Sequence, residues 1–194
     1  MDVTVVSGVP GVGASQVCQE ARSRLGEGYT LLNFGDVMLE RAVAGDREFV
    51  ADRDDLATLP RREIRLLQRR AAEFVATTAR GESVILNTHL AVATAHGFLT
   101  GMPDAVLADI DPARFVLVEA DPETVADRRE SVDYREYREQ GPWAIDFHQD
   151  LNRAAAMAHS VATGAPVRLV ENTEAVEDAA ADLVAIVSEA DPSA

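Results

Sequence analysis

Short runs of aliphatic and β-branched residues alternate along the chain with longer segments whose apolar positions recur at helical spacing. The first run, VTVVS (residues 3–7), passes directly into a glycine-rich loop. A helical segment follows from Ser15 to about Leu25, stopped by Gly26 and Gly28. YTLLNF (residues 29–34) reads as a second strand, and GDVMLERAVA then opens a helix with Asp36 as its N-cap and Gly45 as its stop. Residues 46–60 are charged and irregular. After Pro60 an amphipathic helix runs to about Arg80, with Ile64, Leu67, Ala71, Phe74 and Val75 on one face.

SVILN (residues 83–87) is a third strand, apolar throughout as a strand covered on both faces should be. A loop containing Gly97, Gly101 and Pro103 leads to a fourth, RFVLVEA (residues 114–120). DPETVADRRE then starts a helix with Asp121 as cap and Pro122 in its first turn. PVRLVEN (residues 166–172) is the last strand, and residues 174–189 form the closing helix. Five apolar strands alternating with helices predict a three-layer α/β fold with a mainly parallel five-stranded sheet. Ligands of such sheets bind beyond the carboxyl ends of the strands, so the residues that follow each strand are the candidates for chemistry.

The loop after the first strand, SGVPGVGASQV (residues 7–17), has the glycine spacing of a phosphate cradle. Glycine allows the positive dihedrals that turn successive backbone N–H groups toward one anion, and the helix that follows adds its positive end. Ser15 stands where such loops place a hydroxyl on Mg2+, but Ala14 stands where they carry lysine. Loss of that cation, if unreplaced, weakens phosphoryl transfer more than binding, because backbone amides supply much of the cradle. His89, His96, His148 and His159 show no metal-ligand spacing.

Composition narrows the classes further. A chain of 194 residues, 47% hydrophobic and without a long apolar run, is expected to be one domain with no membrane span and no secretory leader. The single Cys18 fits core packing in a reducing cytoplasm. The formal net charge is −15, and all 18 basic residues are Arg. That balance argues against nucleic acid and anionic membranes as partners. The acids are spread along the chain, which favours the surface of a halophilic protein over an acidic patch for one basic partner.

Together with the loop, NFGDVMLE (residues 33–40), NTHLAVATAHGFLTGMP (87–103), LVEADPE (117–123) and NRAAAMA (152–158) resemble the archaeal type of adenylate kinase. The likeness keeps consistent order from Val3 to about Val187. It implies a P-loop kinase fold, commonly trimeric, that interconverts ATP plus AMP with two ADP using Mg2+. On that resemblance Gly8, Val9, Pro10, Gly11, Val12, Gly13, Ala14, Ser15 and Gln16 hold the ATP phosphates, with Ser15 toward the metal. Gly35, Asp36, Arg53 and Asp54 resemble the monophosphate side, and Thr88, His89, Gly97, Phe98 and Gly101 the wall of the AMP site. Arg128, Arg129, Arg135 and Arg138 resemble a mobile lid spanning about residues 128–143, and Arg153 an arginine on the helix behind it. Arg128, Arg129 and Arg153 are thereby the candidate catalytic cations.

The chain departs from the family pattern at Ala14, at Asn87 in place of a strand-end Asp, and at Ala57 and Ala93 near the AMP side. Several residues admit two readings. Asp36 is an N-cap or a ligand contact, Arg128 and Arg129 a solvated face or phosphate contacts, and Arg153 an internal ion pair or a phosphate contact. Trp143 anchors the lid's return or stacks on a base. Three functions follow: an adenylate kinase, a nucleotide-binding homologue with weakened turnover acting as sensor or assembly partner, or, given Ala57 and Ala93, ATP hydrolysis with an acceptor other than AMP.

Overall fold

The computed structural model describes residues 2–43, 56, 59–94, 96–130 and 141–189. Seven strands occur among them: β1 (Val3–Ser7), β2 (Tyr29–Asn33), β3 (Ser83–Thr88), β4 (Ala91–Thr94), β5 (Gly97–Thr100), β6 (Arg114–Glu119) and β7 (Val167–Glu171). Seven helices are α1 (Ala14–Arg24), α2 (Phe34–Val43), α3 (Arg61–Thr78), α4 (Asp104–Ile110), α5 (Pro122–Glu130), α6 (Pro142–Thr163) and α7 (Val176–Ser188). The main sheet runs β2-β3-β1-β6-β7 with every pairing parallel, as the five apolar runs predict.

Alternation along the strands builds two cores, one on each face. Val3, Val5, Val84, Leu86, Phe115 and Leu117 pack with Val37 of α2, Leu67 of α3 and Val106 of α4. Val6, Ile85, Val116 and Val118 point the other way, onto Val17 of α1 and Leu183 of α7. Burial on both faces is why these strands carry no polar alternation. Cys18 lies fully buried in the second core, and burial pushes its thiol up to about 12.

Two local expectations are corrected. The stretch around Gly97 is not a plain loop: β4 and β5 form a separate antiparallel hairpin, and α4 follows it. Nor is Asp36 the cap of α2, which starts earlier. Asn33, the last residue of β2, accepts from the N–H groups of Gly35 (3.0 Å) and Asp36 (3.4 Å) through Oδ1.

α6 is sewn to the strand ends by inward polar residues, which explains an otherwise puzzling set of buried polar groups on a long helix. Asn152 Oδ1 accepts from Ser7 Oγ at 2.8 Å. Gln149 bonds both the N–H and the C=O of Ala120 (3.3 and 3.1 Å), and His148 Nε2 donates to the Ala91 carbonyl at 2.9 Å.

Candidate functional site

Register sets the site. Ser7 of β1 lies level with Thr88 of β3 and Leu117 of β6, so the three central strands deliver their carboxyl ends to one edge. From β1 the chain crosses to β2 on one side, and from β3 it returns past β1 to β6 on the other. The crevice between β1 and β3 is therefore the topological switch point of the sheet. The glycine loop lies beside it.

Within the loop, Gly11 and Gly13 have φ of 89° and 88°, a region that L side chains rarely adopt. The Gly13 carbonyl accepts from Val17 N (3.0 Å) and opens α1, whose first-turn amides have no partner within the helix. Free amides and the positive end of the helix make this an anion site. The Ala14 methyl is buried against Gly8 and adds no charge.

The cations reach the loop from outside it. Arg129 is 2% exposed and donates through Nε (2.8 Å) and Nη2 (2.5 Å) to the Pro10 carbonyl. Arg128 donates through Nη1 to the carbonyls of Val12 (3.3 Å) and Asn172 (2.8 Å), and through Nη2 to that of Thr173 (3.3 Å). The end of α5 thus leans on the loop that the missing lysine would have served, and the solvated-face reading of this arginine pair fails.

Three polar residues at the ends of β1 and β3, Ser7, Asn87 and His89, tie these ends to each other and to α1. His89 Nδ1 donates to the Gly8 carbonyl at 2.8 Å, which fixes its tautomer. Ser7 Oγ accepts from Leu90 N at 3.0 Å, and Asn87 Nδ2 donates to Ser15 Oγ at 2.8 Å. Arg153, by contrast, forks onto Glu119 (Nη2 to Oε2, 2.6 Å; Nε to Oε1, 2.9 Å) and bonds Asp150 at 2.7 Å. The Glu119 hydrogen bond foremost holds its guanidinium even more firmly charged than usual. Of its two readings, the ion pair is the one the structure contains.

A family model described as "AAA domain" matches residues 7–142. An adenylate kinase from Methanothermobacter thermautotrophicus is 41% identical over 172 residues, covering 89% of this chain and 91% of that protein. Another, from Methanopyrus kandleri, is 40% identical over 188 residues, covering 95% and 97%. The chain belongs to the adenylate kinase family. Its activity class is accordingly that of a nucleoside monophosphate kinase. Among solved structures, a gluconokinase from Sinorhizobium meliloti superimposes with a TM-score of 0.54 at 14% identity, covering 96% of this chain and 91% of that one. A shikimate kinase from Bacteroides thetaiotaomicron gives 0.53 at 10%, covering 97% and 99%. At such low identity these two establish the fold alone, a P-loop kinase fold.

In this family member the sequence-derived residues sort by where the chain carries them. Gly8–Gln16, Thr88, His89, Arg128 and Arg129 gather at the β1/β3 edge. Asp36 sits in the first turn of α2, after a neighbouring strand. Gly97 has φ of 113° in the turn of the β4–β5 hairpin, and Gly101 faces the His89 carbonyl so closely that a side chain there would collide with it. Backbone geometry accounts for both glycines. Trp143 is exposed and stacks on Phe147, 5.8 Å between centroids. Arg53, Asp54, Ala57, Arg135 and Arg138 lie outside the described residues.

No described helix is long and apolar enough to cross a membrane, and the described residues hold no cluster of three or more His, Cys, Asp or Glu suited to a metal. That donor set still fits Mg2+, which keeps several waters and leans on substrate phosphates. Ser15 Oγ, held by Asn87 at 2.8 Å, is the side-chain oxygen that would hold it. Sequence reasoning passed over Asn172 as a site residue, although its amide donates to the Val12 carbonyl at 2.7 Å.

Proposed function

We propose that the protein transfers the γ-phosphoryl group of ATP to the phosphate of AMP, giving two ADP. The observation that carries this reading is the glycine loop at the β1/β3 crevice, leading into the N-terminus of α1 and bonded at Gly8 by His89, which follows β3. An oxygen of the AMP phosphate attacks the γ-phosphorus in line, the bond to the β–γ bridging oxygen breaks, and ADP leaves with that electron pair. Such transfer needs positioning and charge more than covalent chemistry.

The amides of Gly11 and Gly13 and those of the N-terminus of α1 bind the ATP phosphates, while the Val12 amide is held by the Val9 carbonyl at 3.1 Å. Arg128 and Arg129, anchored at the Val12 and Pro10 carbonyls, supply the positive charge that Ala14 does not. Ser15 would hold Mg2+, which when bound neutralises the β- and γ-oxygens. Asn87 orients the Ser15 hydroxyl but, unlike an Asp, adds no charge. Asp36, Arg53, Thr88, His89, Gly97 and Gly101 form the AMP side. Arg153 joins the phosphates by exchanging Glu119 for them, a move that its 44% exposed side chain allows.

A coupled assay with ATP, AMP and Mg2+ in high KCl tests the reaction. ADP formation that needs both nucleotides supports it. Retained ATP binding with no ADP above background instead identifies a nucleotide-binding homologue that has lost turnover.

A further inference from the structure

A phosphate loop with alanine at position 14 has no side chain of its own to hold its carbonyls back from the anion. We propose that Asn172 is the positioning residue of this loop, an inference that rests on the phosphate-site reading of Gly8–Gln16.

Asn172 follows β7, and its backbone N–H is tied to the Glu119 carbonyl of β6 at 2.7 Å, so the residue is carried by the sheet and not by a free loop. It is 1% exposed. Its Nδ2 donates to the Val12 carbonyl at 2.7 Å. The same nitrogen lies 2.5 Å from where a Cβ on Gly13 would stand, so the amide packs directly on the glycine whose positive φ turns the loop into α1.

Arg128 closes the arrangement by donating to both the Val12 and the Asn172 carbonyls. A carbonyl gripped by two donors cannot swing its negative end toward a phosphate. Asn172 Oδ1, meanwhile, is buried without a partner among the described residues. Leaving a buried acceptor unpaired costs stability, so a site that needed only packing would be better filled by leucine. The amide is explained by its donor half. Asn172 thus fixes the Val12–Gly13 peptide so that the cradle is shaped before nucleotide arrives.

The test is equilibrium binding of ATP, and separately of AMP, to wild type, Asn172→Leu and Asn172→Asp by calorimetry in high KCl, without turnover. Asn172→Leu weakens ATP about five- to tenfold, the loss expected for one hydrogen bond, and leaves AMP unchanged. Asn172→Asp is as weak or weaker at neutral pH, where the carboxylate cannot donate to Val12. Its affinity relative to wild type recovers as pH falls and the buried carboxyl regains a proton to donate. A packing role alone lets Asn172→Leu, which keeps the volume, bind ATP as wild type does.

ATP binding equal to wild type in both variants overturns the proposal, as does an Asn172→Asp ratio that stays flat across pH. If Asn172→Leu does not fold, Asn172→Ala takes its place, with the same loss of ATP affinity expected and wild-type affinity overturning the proposal. A wild type that binds ATP but forms no ADP overturns the transfer reaction and leaves the role of Asn172 standing.

Discussion

At the scale of single residues, Ala14 supplies no charge to the loop, and in the proposed reaction Arg128 and Arg129 bring it from α5. Arg129 is pinned to the Pro10 carbonyl, and a planar guanidinium fixed at the rim is a poorer match to the bridging oxygens than an ammonium inside the cradle. Ala14→Lys is therefore expected to raise kcat about tenfold or more in steady-state assays. An unchanged kcat would mean that an arginine already occupies that position in the working complex. His159 gives a separate residue-scale prediction. It stacks on Phe115 at 6.0 Å, Nε2 is buried without a partner among the described residues, and burial lowers its pKa from the ordinary 6.5, partly opposed by Asp104. The unfolded chain therefore takes up this proton before the folded one does. The contribution to stability is complete above pH 6.5 and is lost as pH falls below it. Melting temperatures between pH 7.5 and about 5 should show this decline in wild type, with a shallower slope in His159→Leu. Equal slopes would remove His159 from the explanation.

At the scale of elements, the β4–β5 hairpin is the piece with most consequence for the site, because its base abuts His89. Gly101 donates to the Leu90 carbonyl at 3.0 Å, and a Cβ at Gly101 would lie 1.7 Å from the His89 carbonyl oxygen. Gly101→Ala must displace the backbone that holds His89 against Gly8. We expect a loss of about 3 kcal/mol in urea unfolding, and unaltered stability would contradict the packing described. This hairpin is also where sequence reading failed. The main strands were legible because burial on both faces leaves continuous apolar runs such as VTVVS and SVILN. AVAT and GFLT are four residues each, β5 is exposed throughout, and they pair only with each other, so neither periodicity nor length marks them. The cap of α2 was misplaced for a similar reason: Asn33 and Asp36 can both cap, and only the chain's exit direction from β2 decides. The glycine loop was legible from its spacing together with its place between the first strand and a helix. Asn172 was not, because its partner Val12 is 160 residues away in sequence and no local pattern encodes that contact.

At the scale of the molecule, two apolar layers clamp a parallel sheet and leave its carboxyl edge to polar groups drawn from β1, β3, α5, α6 and the segment after β7. Arg128 bridges three of these regions, α5, the loop after β1 and the segment after β7. Charge acts at this scale too. A net charge of −15 carried without any lysine makes the folded chain repel itself at low ionic strength, so its melting temperature is expected to rise as KCl is added. The central claim is phosphoryl transfer between two nucleotides, not hydrolysis of one. Its most direct test supplies ADP as the sole nucleotide, with Mg2+ in high KCl, and follows all phosphorus species by NMR. The account predicts that ATP and AMP appear together in equal amounts, which no phosphatase can bring about. AMP with inorganic phosphate but no ATP, or ADP that is bound yet unchanged, would contradict it.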